Sequence, residues 1–197
     1  MKIQRASVAS IEYTPFMTGH RHIQNLALIG FMGTGKTSVG HIVASLLHFQ
    51  FVDTDELIEA RAGCPINDIF ARQGEAAFRA LETQIVDGLA GLKKAVISTG
   101  GGLGASQENL DRLKPHALIV CLWASPQTIW ERVRSQTHRP LLHDPHPQEK
   151  ITQLLTEREA LYRQADVLVS SEMRSVKDVA HQVLHQFHLA VSQSHSR

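Results

Sequence analysis

Short apolar runs alternate along this chain with longer stretches in which apolar residues recur every three or four positions. Residues 25–29 (NLALI) form a nearly continuous apolar run that ends at Gly30, the pattern of a strand buried on both faces. Val39, Val43, Leu46 and Leu47 follow at helical spacing. A second short strand is predicted over 50–53, then a helix from Asp55 to about Ala62. Pro65 opens a helix carrying Ile66, Ile69 and Phe70, and Gly74 separates it from a longer one with Phe78, Leu81, Ile85 and Leu89. Residues 95–98 and 118–122 predict two more strands, the first running into three glycines and the second into a helix over 125–135. Residues 137–147 hold three prolines and little periodicity, and predict a mobile loop. A helix over 148–163, a strand over 167–170 and a helix over 175–190 complete the pattern.

Strands alternating with helices imply a parallel sheet covered on both faces, in one α/β domain. That domain is expected over 25–190, with a flexible extension over 1–24 and a flexible tail over 191–197. Composition narrows the partners. Lys and Arg number 20 against 19 Asp and Glu, so the net charge of +1 argues against the broad basic surface of a nucleic-acid-binding protein. A local positive cleft stays open. No stretch reaches the ~18 apolar residues of a membrane span. Cys64 and Cys121 show no disulfide or metal spacing and suit a reducing cytoplasm, with Cys121 expected as a small buried residue. His181, His185 and His188 could share a helical face, but Gln182 breaks the H-E-x-x-H pattern of a zinc site. Trp123 and Trp130 read as packing residues.

The chemistry begins at G30-F-M-G-T-G-K-T37, which satisfies G-x-x-x-x-G-K-[ST] between a strand and a helix. Such a loop wraps phosphate with backbone N–H groups, and the helix behind it adds its positive end. Lys36 is expected against the β- and γ-phosphates, and Thr37 offers its hydroxyl to Mg²⁺. Asp53 and Asp55 lie two residues apart and project to one side if the strand stays extended; either could cap the next helix, alone or together with a functional role. Asp53 is a candidate for Mg²⁺ through water. Arg79 and Arg158 can each meet a carboxylate with two parallel hydrogen bonds, or pair with neighbouring acids: Glu75 or Glu82 for the first, Glu157 or Glu159 for the second.

In this order and spacing, G33-T-G-K-T37, V52-D-T-D55, G74-E-A-A-F-R79, S98-T-G-G-G102, R139-P-L-L142 and R158-E-A-L-Y162 resemble the shikimate kinase family over most of residues 25–185. The resemblance implies a three-layer P-loop kinase fold with a five-stranded parallel sheet in the order 2-3-1-4-5 and a mobile lid near 137–147. It implies ATP with Mg²⁺, and shikimate as the acceptor. By that resemblance Gly33, Thr34, Gly35, Lys36, Thr37 and Ser38 bind nucleotide, and Thr37 and Asp53 serve the metal. Asp55 is the implied general base and acceptor contact, with Arg79, Gly100, Gly101, Gly102 and Arg158 holding shikimate. Arg139 reaches the transferring phosphate from the lid. Arg174 and one of the lid-side arginines, Arg134 or Arg132, are expected against adenine. The chain is expected to act as a cytoplasmic monomer. Two rivals stand beside this reading: a related kinase for another hydroxy acid such as gluconate, and a non-catalytic shikimate sensor.

Overall fold

The computed structural model describes residues 21–135 and 144–195. Five strands, β1 (Asn25–Ile29), β2 (Gln50–Asp53), β3 (Ala95–Ser98), β4 (Ala117–Trp123) and β5 (Val167–Ser170), form one parallel sheet in the order β2-β3-β1-β4-β5. The helices are α1 (Lys36–Leu47), α2 (Thr54–Ala62), α3 (Ile66–Leu89), α4 (Gln107–Leu113), α5 (Pro126–Val133), α6 (Pro147–Tyr162) and α7 (Val176–His195).

The strand sequences read as continuous runs because both faces are covered, yet alternate residues still go to opposite cores. Ala27, Ile29, Ile97, Ile119 and Cys121 face a core shared with α3 to α6. Leu26, Leu28, Val96, Val120 and Leu122 face a second one shared with α1 and α7. Asn25 is the polar exception in β1, fully buried because its side chain donates to Leu92 O at 2.7 Å and accepts from Ala95 N at 3.0 Å. A third, small core of Ile58, Ile69, Phe78 and Ile85 belongs to α2 and α3 alone. Within α3, Gly74 has φ 80° and ψ 176°, a break in the helical path that glycine permits and that the sequence marks.

Three features differ from the sequence reading. Helix α4 was not expected: in QENLDRL only Leu110 and Leu113 are apolar, and the start signal is a single capping Ser106, whose hydroxyl accepts from Asn109 N. The chain is tied down before residue 25. Arg21 forms a two-pronged contact with Asp166 and donates to Lys114 O and Ala117 O, while Ile23 is buried. At the other end α7 continues to His195, because Ala190 and Val191 still pack on the second core. Arg139 and residues 137–143 of the expected lid lie outside the described residues, as do residues 1–20 and 196–197.

Candidate active site

The loop between β1 and α1 turns on Gly30, Gly33 and Gly35, all at positive φ. Gly33 shows why a side chain is excluded: its φ is +74°, and a Cβ there would lie 2.7 Å from Val133 Cγ1. Thr34 is buried and closes the turn by donating to Phe31 O at 2.8 Å. Lys36 is buried as well, and its ammonium donates to Gly30 O at 2.8 Å and Phe31 O at 3.0 Å. Helix α1 begins with no side-chain cap and no acidic residue in its first turn, so its amide end presents positive charge to the cleft. The cleft encloses about 290 Å³ and is lined among others by Lys36, Thr37, Asp53, Asp55, Gly101 and Arg132. Ser38 and Gly35 also line it.

Asp53 caps the next helix, one of the readings the sequence left open, and its other carboxylate oxygen turns to the phosphate loop. Its Oδ1 accepts from Asp55 N at 3.0 Å, capping α2, while Oδ2 accepts from Thr37 Oγ1 at 3.2 Å. Because α2 starts at Thr54, the D-T-D segment is not an extended strand throughout, and the simple same-side placement of its two acids does not apply. Ser98 Oγ stands 3.4 Å from Thr37 Oγ1. Thr37, Asp53 and Ser98 thus gather hard oxygen donors beside the phosphate loop, the donor chemistry that suits Mg²⁺.

Each glycine after β3 meets a different candidate acceptor residue. A Cβ at Gly100 would collide with Asp55 Oδ1, and one at Gly102 with Arg79 Nη1. Gly101 O accepts from Arg158 Nη1 at 2.9 Å, and a Cβ added at Gly101 would meet Met32 of the phosphate loop only at ordinary contact distance. Arg158 also lies over the Phe31 ring, 5.4 Å from its centroid, a cation–π placement that links α6 to the same loop. Missing side chains at residues 100 and 102 therefore admit the acid and the arginine themselves. The triple glycine is part of how those groups converge.

Arg79 is already paired. It donates to Glu82 Oε2 at 2.6 Å and to Glu75 Oε1 at 2.9 Å. Burial works against its charge, but these two carboxylates outweigh that and hold it above the ordinary arginine value. Glu82 is only 1% exposed and its Oε1 has no partner. Burial pushes its carboxyl above the usual range; Arg79 pulls it back, the Asp55 charge adds to the rise and Arg158 opposes it. One electrostatic field therefore includes Asp55, Arg79, Glu82 and Arg158. Sequence reasoning named Glu82 only as a competing ion-pair partner; its i,i+3 spacing from Arg79 was the available signal.

On the far side of the phosphate loop the arginine is Arg132. It donates to Gly33 O at 3.1 Å, Ser171 Oγ at 3.0 Å and Ser171 O at 2.6 Å. Arg134 caps the end of α5 and is exposed; residues two apart on a helix face different ways, so the two cannot share this position. Arg174 turns onto α7 and donates to Gln182 Oε1. Glu172, beside it, accepts from Ser125 N at 2.7 Å and Thr128 Oγ1 at 2.9 Å; the Ser125 side chain first, then these two bonds, hold its carboxyl below the usual range against the opposing effect of burial. Cys121 is fully buried, its thiol pushed up to about 12, and Trp123 and Trp130 pack on the first core.

A parallel β2-β3-β1-β4-β5 sheet, with a glycine-rich phosphate loop feeding a helix at its carboxyl edge, defines the P-loop kinase class. Comparison with known proteins refines this. The family model described as shikimate kinase matches residues 32–188. A shikimate kinase of Thermodesulfovibrio yellowstonii is 44% identical over 84% of this chain and 95% of its own length. The structure of shikimate kinase from Acinetobacter baumannii in complex with shikimate superposes with a TM-score of 0.81 and 34% identity, covering 85% of this chain and 94% of that one. This chain belongs to the shikimate kinase family. A gluconokinase from Sinorhizobium meliloti, at 16% identity and a TM-score of 0.60, shares the fold.

Proposed function

We propose that this protein transfers the γ-phosphoryl group of ATP to the 3-hydroxyl of shikimate, releasing ADP and shikimate 3-phosphate. One observation carries the reading: the glycine run at residues 100–102 brings Asp55, Arg158 and Arg79 together beside the phosphate loop. That arrangement offers one carboxylate for a hydroxyl and two guanidiniums for an acceptor's carboxylate. The described residues include no helix long and apolar enough to cross a membrane, and a cytoplasmic setting is part of the proposal.

The acceptor oxygen attacks the γ-phosphorus, the bond to the β,γ-bridging oxygen breaks, and the hydroxyl proton passes to Asp55. In a loose transition state little proton abstraction is needed early, so Asp55 contributes mainly by orienting the hydroxyl. Lys36 and the amides of residues 33–38 hold the phosphates in place. Mg²⁺, carried by Thr37 and by Asp53 through water, would neutralise phosphate charge. Arg158 and Arg79 pair with the shikimate carboxylate and fix the direction of the ring. Gly100, Gly101 and Gly102 keep the floor of the acceptor site free of side chains. The role that the family resemblance gives Arg139, a guanidinium on the transferring phosphate, would stabilise the charge that spreads there. Arg132, bonded to both Gly33 and Ser171, takes the adenine-side position, with Arg174 at its outer edge.

Coupled ADP release decides among the readings. Mg·ATP with shikimate should give rapid turnover and gluconate little. Turnover with gluconate alone would move the assignment to another hydroxy-acid kinase. Tight shikimate binding without product, over a wide range of Mg·ATP, would identify a sensor.

A further inference from the structure

The middle residue of D53-T-D55 is left unused by the mechanism, and its placement is unusual for a threonine between two acids. Thr54 is fully buried, and its hydroxyl accepts from Gly100 N at 2.8 Å. The β2–β3 ladder ends where Asp53 stands opposite Ser98, after which the two chains part, one into α2 and the other into the glycine run. Thr99 stays with β1, through bonds from its amide and hydroxyl to Leu28 O. Thr54 Oγ1 takes the next amide along, Gly100, and so carries the ladder one step past its end by a side chain.

The atoms tied together are those of the acceptor site. Asp55 follows Thr54 directly, and its carboxylate lies against the Gly100 α-carbon. Gly101, next in line, gives its carbonyl to Arg158. We infer that Thr54 is a positioning residue, whose hydroxyl locks the Gly100 amide to the start of α2 and thereby sets the gap between Asp55 and the glycine floor into which the acceptor hydroxyl enters. The inference rests on the function proposed above. It also accounts for a β-branched residue at this point, since a stiff χ1 holds the oxygen in one direction. Without that oxygen a buried N–H is left unpaired, and the cheapest relief is for the Gly100 peptide to turn away from Asp55.

The test compares Thr54→Val, nearly isosteric but lacking the oxygen, with Thr54→Ser, which keeps it. Thr54→Val should lower kcat/KM for shikimate by ~10–100-fold while the KM for Mg·ATP stays within about twofold. Thr54→Ser should recover to within about threefold of the parent. The Gly100 amide should exchange slowly in the parent and Thr54→Ser, and fast in Thr54→Val. Thr54→Ala serves as the oxygen-free variant if valine does not fold. Equal losses for both substrates, a Thr54→Ser protein as impaired as Thr54→Val, or unchanged shikimate kinetics without the oxygen would each overturn the inference. If the parent itself turns over no shikimate, the functional reading fails, while the amide exchange still reports on the bond.

Discussion

From residue 30 to residue 37 the phosphate wall of the cleft is a single stretch of chain, whereas the acceptor side draws on four elements. Asp55 of α2 and Gly101 of the loop after β3 line the cleft, and Arg79 of α3 and Arg158 of α6 stand behind them against Gly102 and Gly101. The first wall is mostly backbone. Its shape follows from glycines at positive φ, a buried lysine bonded to its own loop and the start of α1. The second wall is mostly side chains held by further contacts: Glu82 and Glu75 on Arg79, the Gly101 carbonyl and Phe31 on Arg158, and Thr54 on the Gly100 amide. Part of it stands on the small α2–α3 core, separate from the two that cover the sheet. Phosphate recognition can be local because every nucleotide presents the same group. Acceptor recognition has to measure distances across a molecule, and so it is distributed.

If the two walls act separately, substitutions should divide by substrate. The largest effect is expected from Asp55→Asn. Turnover should fall by ~10²–10⁴-fold with nucleotide affinity nearly unchanged, since a neutral amide orients the hydroxyl through a weaker bond than a carboxylate does and cannot take its proton. Steady-state kinetics beside a nucleotide titration separate the two. Arg158→Ala should raise the KM for shikimate by ~10–100-fold through loss of a charge-assisted bond of about 1.5–3 kcal/mol, again sparing ATP. Equal loss for both substrates would break the comparison.

Gly33→Ala probes the other wall. Its +74° φ and the nearby Val133 methyl should cost about 1–2 kcal/mol and raise the KM for Mg·ATP more than that for shikimate. The smallest effect concerns pH and the Glu172 turn. The folded-state pKa of Glu172 is lowered, so its contribution to stability is present above the ordinary value of 4.5 and disappears as pH falls through the folded value. Denaturant midpoints of Glu172→Gln should therefore decline less than those of the parent between neutral pH and pH values below 4.5. An identical acid decline in both proteins would remove Glu172 from this role.

The same contrast decides what could be read from the chain. Strand β1, the phosphate loop and α1 are contiguous, and their hydrophobic run, glycines and lysine announce them locally. The alternation of strands and helices implies a parallel sheet, and the ordered motifs shared with the family carried its strand order. Helix α4 escaped because two leucines and one capping serine make a weak periodic signal. Residues 21–24 looked like a loose extension because the partners of Arg21 and Ile23 lie beyond residue 113 or in the sheet core. On the acceptor side, motifs located Asp55, Arg79 and Arg158, and charge spacing named Glu75 and Glu82 for Arg79, but Arg158 meets Gly101 and Phe31 rather than Glu157 or Glu159. Which of Arg132 and Arg134 faces the phosphate loop depends on the rotation of α5 against Gly33 and Ser171, a contact that spacing alone does not fix. The capping and metal-side readings of Asp53 were compatible in sequence, and its two oxygens indeed face different partners, the Asp55 amide and the Thr37 hydroxyl.

The most direct test of the account follows the phosphoryl group itself. Phosphorus NMR of the protein with Mg·ATP and shikimate should show ADP and one new phosphate monoester rising together, with the ester on the 3-oxygen of shikimate. ADP appearing with inorganic phosphate and no ester, or an ester formed on gluconate in preference to shikimate, would contradict it.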